Sequence, residues 1–205
     1  MSERAILMVR SHVPAARVER FVMAQDRARD LFAEIKGAHG PTTYSMEGDP
    51  ETFLSLIELD DHAHFDLEMS ARLTDEMALV FHRATDDAPS IRTIRVLAGV
   101  GSRAETMPAG SYLSISDRIA DPGKAMDLAR DYEAVFGSFA MLDGFLGYAY
   151  GPDGATEEHI FGLAVWRDRE SLNQSLKDAM RHDLRIYRRI NATELQTVPD
   201  AFAVE

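Results

Sequence analysis

Residues 18–37, VERFVMAQDRARDLFAEIKG, and residues 125–144, AMDLARDYEAVFGSFAMLDG, decide the fold between them. In the first stretch Val18, Phe21, Val22, Ala28, Phe32 and Ile35 fall on one face of a helix. Shifted by 107 residues, they land on Ala125, Leu128, Ala129, Val135, Phe139 and Leu142, apolar throughout. Each stretch closes on a glycine, Gly37 and Gly144, where a left-handed helix C-cap is expected. A second helical pattern behaves the same way. Phe65, Met69, Leu73, Met77 and Val80 map onto Leu172, Leu176, Met180, Leu184 and Tyr187. Two helices that keep their buried stripes in one frame imply an internal duplication.

Strand-like runs surround these helices. In the first half they are Ala5 to Arg10, Pro41 to Met46, Thr52 to Leu59 and Ile91 to Leu97. In the second they are Ser111 to Asp117, Gly147 to Tyr150, His159 to Trp166 and Thr193 to Val198. Turn residues part the middle pair each time, Gly48-Asp49-Pro50 and then Gly151-Pro152-Asp153-Gly154. Asp60 or Asp61, and Asp168, stand where the second helix of each half needs an N-cap. The order per half is β-α-β-β-α-β, a ferredoxin-like unit. The expected division is one unit over 1–98, a linker over 99–110 and a second unit over 111–205. Thr85 to Pro89 lengthens the first half and has no counterpart in the second.

A ferredoxin-like sheet is covered by helices on one face only. Strand His159–Trp166 is apolar on both of its faces. Phe161, Leu163 and Val165 are expected under the helices; Ile160, Gly162, Ala164 and Trp166 are expected on the opposite face, matched in the first half by Phe53, Ser55, Ile57 and Leu59. Two apolar faces in one chain imply an α+β protein whose antiparallel sheets pack face to face as an intramolecular barrel.

With 22 Lys+Arg against 34 Asp+Glu, the net charge of −12 argues against nucleic acid or an anionic membrane as partner. The chain has no cysteine, which excludes disulfides, thiol catalysis and Cys-bound metal clusters. No apolar run is long enough to span a bilayer, and Met1-Ser2-Glu3-Arg4 opens no signal peptide, so a cytoplasmic location is expected.

The Gly144-Phe145-Leu146-Gly147 segment and the run Ala164 to Leu172, with its aromatic-x-Asp-x-Glu strand-to-helix junction, resemble the dimeric α+β barrel superfamily. Within it the chain is most similar to antibiotic biosynthesis monooxygenase-type domains, as two tandem copies. The resemblance implies a small aromatic or quinol-type substrate, oxidised with O2 and no cofactor in one branch of the superfamily. The leading expectation is therefore a cofactor-independent monooxygenase, with a non-catalytic small-molecule-binding or stress-associated barrel as the alternative, and the resemblance leaves room for a homo-oligomer. A Trp ending the third strand maps onto Trp166. Where the monooxygenase pattern has Asn four residues earlier, this chain has Gly162; where the haem-degrading pattern has His ten residues later, it has Leu176. The Asn expected on the first strand is missing from both halves, and Leu59 stands in place of the Trp in the first.

From the residues themselves, Gly162 and Ala164 leave room beside Trp166, and Ser114 and Ser116 alternate away from Leu113 and Ile115. Tyr148 or Tyr150 adds a phenol. These seven residues, both tyrosines included, are the expected substrate-binding set, against the simpler reading that Trp166 only plugs the core. No residue is assigned as catalytic, and no metal or cofactor is expected. His62 with Asp66, and His64 with Glu68, share helix faces pairwise, but the two histidines diverge around the helix, which suits a solvated helix start better than a metal site. His12, His39 and His159 lie near strand ends without a nucleophile beside them, and His182 falls off its helical stripe. Arg181, Arg185, Arg188 and Arg189 form a basic patch on the expected last helix. No phosphate-binding, nucleotide-binding, serine-hydrolase or zinc-protease motif is present.

Overall fold

A computed structural model of the chain describes residues 4–61, 75–76, 79, 81–85, 87–101, 106–178 and 184–189. The first half runs β1 (Ala5–His12), α1 (Val18–Ala33), β2 (Ala38–Met46), β3 (Asp49–Leu59) and β4 (Ser90–Arg95), with β5 (Ala98–Gly101) directly behind it. The second half runs β6 (Tyr112–Ile119), α2 (Ala125–Phe139), β7 (Phe145–Pro152), β8 (His159–Trp166), α3 (Arg169–Asp178) and β9 (Leu184–Arg189). Strand β6 repeats β1 at an offset of 107 at both ends. The second helical stripe of the first half, Phe65 to Val80, and the paired His62/Asp66 and His64/Glu68 lie outside the described residues, as do Met180, Arg181 and His182.

All the described strands join one antiparallel sheet in the order β4-β1-β3-β2-β9-β6-β8-β7-β5. Each half contributes the ferredoxin order, β4-β1-β3-β2 and then β9-β6-β8-β7. The halves meet at two seams. At the first, β2 pairs with β9, Tyr44 opposite Arg189 and Met46 opposite Tyr187. At the second, β4 bends into β5: the Val96 N–H donates to the Arg4 carbonyl at 2.9 Å, and the next N–H, Leu97, donates to Tyr150 at 2.9 Å. β5 then pairs with β7, Ala98 opposite Tyr150. The bent strand belongs to both ends of the sheet, so the sheet closes into a barrel. The duplicated ferredoxin-like architecture is thus an intramolecular α+β barrel. Part of the stretch expected as linker, from Gly99 to Gly101, is a strand of that closure.

Three apolar layers follow. Phe21, Ala28 and Phe32 of α1 pack on Leu7, Val9, Phe53 and Ile57. Tyr132, Phe136 and Phe139 of α2 pack on Tyr150, Ile160, Ala164 and Trp166. Between the halves, Ile6, Met8, Leu54, Leu56, Leu113, Ile115, Phe161, Leu163 and Val165 fill the barrel lumen. The expected faces are therefore exchanged. Phe161, Leu163 and Val165 face the lumen, and Ile160, Gly162, Ala164 and Trp166 lie under α2. The same holds for Phe53, Ser55, Ile57 and Leu59, which lie on the α1 side. Both faces of these strands are apolar, so alternation separates the two sets without saying which one the helix covers.

Two further expectations are refined. Gly37 and Gly144 do have positive φ (81° and 79°), but α1 and α2 end earlier, so they belong to the turn that leads into the next strand. Their carbonyls accept the N–H groups of Asp60 and Arg167, each at 2.8 Å. Leu184 to Arg189 is strand β9 rather than the end of a helix. Leu184 also continues the i,i+4 stripe of Leu172 and Leu176, which makes the run ambiguous by periodicity. Pairing with β6 and β2 decides it. The expected last strand, Thr193 to Val198, lies outside the described residues.

Candidate functional site

The expected substrate-binding residues gather in one place, the layer between α2 and the sheet of the second half. Alternation along β6, β7 and β8 puts Ser114 and Ser116, Tyr148 and Tyr150, and Gly162, Ala164 and Trp166 on that one face. Register brings them into contact range: Tyr148 lies opposite Ala164, Tyr150 and Ser116 both lie opposite Gly162, and Ser114 opposite Ala164. Both tyrosines share the face.

Trp166 is fully buried, and its indole N–H donates to Ser114 Oγ at 3.2 Å. Phe139 and Phe145 stand edge-on to the indole, with centroids at 5.2 and 5.1 Å. Beside it runs a row of nearly parallel rings. Tyr132 and Tyr150 are 6.0 Å apart at 17°, Tyr150 and Tyr148 6.3 Å at 8°, and Phe136 and Tyr148 4.8 Å at 18°. Offset ring pairs at such separations are attractive beyond the area they bury. The row runs from buried Tyr132 and Tyr150 to half-buried Tyr148 and Phe145 at its outer end.

The gap expected beside Gly162 is taken by a side chain that the sequence reading passed over. A Cβ on Gly162 would lie 2.3 Å from Tyr132 Cε1 and 3.0 Å from Phe136 Cζ. The missing side chain thus makes room for Tyr132. The Tyr132 hydroxyl is hydrogen-bonded to Ser116 and lies 3.5 Å from the Ile160 carbonyl it donates to. Burial, followed by the nearby charge of Glu133 and the phenol of Tyr148, raises the Tyr150 pKa. Its phenol stays neutral, so it offers hydrogen bonding rather than a base.

A second polar group went unrecognised in the sequence because its members are far apart there. At one end of the lumen, the two ring nitrogens of His159 face Asp117, to which Nε2 is hydrogen-bonded, and Asp153, at 3.9 Å from Nδ1. Asp153 is almost fully buried and accepts from Arg92 Nη1 at 2.6 Å. Arg185, expected on a helical patch, is on β9 and reaches Asp117 at 3.9 Å. The other strand-end histidines pair elsewhere, His12 with Glu51 at 3.5 Å and His39 with Asp60 at 3.2 Å. Among the described residues no three His, Asp or Glu side chains are grouped to hold a metal ion, and no helix is long and apolar enough to cross a membrane.

No family model and no curated protein sequence matches the chain. Solved structures do. A Fusobacterium nucleatum protein, provisionally described as a monooxygenase, superposes with a TM-score of 0.70 at 12% identity, over 92% of this chain and 93% of its own. An anthrone oxidase-like protein gives 0.59 at 12% identity, over 93% of this chain and 92% of its own. A Listeria monocytogenes ferredoxin-fold protein, described as related to antibiotic biosynthesis monooxygenases, gives 0.51 at 10% identity, over 93% and 96%. These likenesses span almost the whole length of each chain. The fold is the duplicated ferredoxin-like α+β fold that these structures share.

Proposed function

We propose that the chain is a small-molecule-binding barrel that takes up a planar aromatic molecule of the phenol or quinol class against the α2 layer. Tyr148, Tyr150, Ser114, Ser116, Gly162, Ala164 and Trp166 shape this layer. The observation that carries the reading is the row of parallel rings ending at half-buried Tyr148 and Phe145. A flat ligand extends that row with one face on a phenol ring, gaining stacking at little conformational cost. Binding is favoured over catalysis because the polar groups beneath the two phenols of Tyr148 and Tyr150 already have partners within the protein. The indole N–H is held by Ser114, and the hydroxyls of Tyr132 and Ser116 bond each other.

Cofactor-free oxygenation is a second reading, supported by the descriptions of the neighbouring structures. For an anthrone-type substrate it would convert an activated CH2 to C=O with one atom of O2, the other oxygen leaving with both hydrogens as water. Anthrone separates the two readings. It is titrated into the protein while Trp166 fluorescence and dissolved oxygen are followed together. Saturable quenching with oxygen consumed no faster than in buffer is the expected result, and Tyr148→Ala should weaken it about tenfold. Protein-dependent oxygen uptake would establish the oxygenase reading. Absence of quenching up to the solubility limit would reject both.

A further inference from the structure

We propose that the wider end of the barrel lumen is a second ligand site, taking a small carboxylate that carries a single aromatic ring. It is separate from the α2 layer and does not depend on that layer binding anything. A cavity of about 160 Å³ opens here over a floor of Met8, Leu54, Ile115 and Phe161. Its rim carries three guanidinium groups, Arg10, Arg92 and Arg185.

The duplication explains the arrangement. Met8 and Ile115 are equivalent in the two halves, as are Leu54 and Phe161. Arg92 lies opposite Met8 on β4, and Arg185 lies opposite Ile115 on β9. The two arginines therefore occupy equivalent stations around the barrel axis, above one shared apolar floor. At the next station the halves differ: β1 has Arg10 where β6 has Asp117. Arg92 is partnered by Asp153, and Arg185 approaches Asp117. Among the described residues Arg10 has no ion-pair partner. Three cations thus face two carboxylates at the mouth of a lumen in a chain whose net charge is −12. That local excess stands against the overall field and favours an anion.

The floor decides which anion. A hydrated phosphate or sulfate would gain nothing from four apolar side chains, whereas a ring attached to a carboxylate uses both parts of the site. A lumen of this size matches the ~150 Å³ cavity known to accept benzene. Guanidinium groups pair carboxylates in a two-pronged geometry.

The test is calorimetric titration of the full chain with benzoate at low ionic strength. One saturable site is expected, with benzamide, which lacks the charge, weaker by about tenfold or more. Arg10→Gln should weaken benzoate by about tenfold, because it removes a surface cation that supports no internal pair. Leu54→Phe, which fills the floor, should abolish binding, and circular dichroism checks that it folds. Tyr148→Ala should leave benzoate affinity unchanged, so failure of the aromatic layer and failure of the lumen are told apart. The proposal is overturned if benzoate does not bind at millimolar concentration, if benzamide binds equally well, or if inorganic phosphate competes as strongly as benzoate. Indifference to Arg10→Gln would overturn it as well.

Discussion

Gly162 and Tyr132 stand where the first half has Ser55 and Gln25, since both pairs are related by the same shift of 107 residues. In the first half Gln25 Nε2 donates to Ser55 Oγ at 2.7 Å, a buried polar contact between helix and sheet. In the second half the contact has become a large ring resting on a glycine. Gly162→Ser forces a Cβ into Tyr132 and should cost roughly 1–3 kcal/mol in urea unfolding followed by Trp166 fluorescence. The double variant Gly162→Ser with Tyr132→Gln rebuilds the first-half pair and should recover much of that loss. If the two substitutions are simply additive, the pairing idea is wrong. Asp168 is a different kind of residue-scale device. Its Oδ1 accepts the Ser171 N–H at 2.8 Å and the Ser171 hydroxyl at 2.7 Å, capping α3. Those bonds, the backbone one first, hold its carboxyl down to about 2 from 3.8. A depressed carboxylate pKa adds stability above the unfolded value, and that stability is lost as pH falls through the folded one. Asp168→Ala should therefore lower the melting temperature at neutral pH by clearly more than it does near pH 2, as thermal scans at the two pH values would show.

At the scale of elements the two seams matter most. The first is a strand pair, β2 with β9, reinforced by Arg169 Nη2 at 3.0 Å from Glu47 Oε2. The second depends on the bend between β4 and β5, where β7 comes very close. A Cβ on Gly151 would fall 1.7 Å from the Arg95 carbonyl oxygen, a backbone atom that cannot move aside alone. Gly151→Ala should therefore open this seam while leaving the first intact. Hydrogen exchange tests it: the Leu97 amide, bonded to Tyr150, should lose protection, and the amides pairing β2 with β9 should keep theirs. Equal loss at both seams would mean the barrel opens as one unit.

The whole molecule shares a lumen, and Tyr44 is its most telling occupant. The side chain is fully buried, and among the described residues its hydroxyl finds no hydrogen-bond partner. Burial pushes its pKa well above the ordinary 10.0, opposed in part by Arg189 and aided by Glu58. The folded chain holds this proton where the unfolded chain releases it. Stability is thus complete below the unfolded value and declines as pH rises above it. Tyr44→Phe should flatten that alkaline decline in urea midpoints measured across the range. At neutral pH it should be neutral or stabilising by about 1 kcal/mol, because it removes an unsatisfied buried group. A clear destabilisation would show that the hydroxyl has a partner after all.

The sequence by itself determined the duplication, the apolar stripe of α1, the stripe of α2 apart from Val135, which is exposed where Tyr132 and Phe136 are buried, the cap at Asp168 and the seven residues of the aromatic layer as one set. These follow from local periodicity and from spacing repeated in a single frame. Only the tertiary structure decided which face of each strand meets a helix, that Leu184 to Arg189 pairs as a strand, and that His159, Asp117, Arg92 and Arg185 converge at one end of the lumen. The physical reason is the same in each case. Strands such as β1 and β8 are apolar on both sides, so hydrophobic alternation along them carries no sign, and the charges at the lumen mouth are neighbours only because barrel closure brings distant strand ends together.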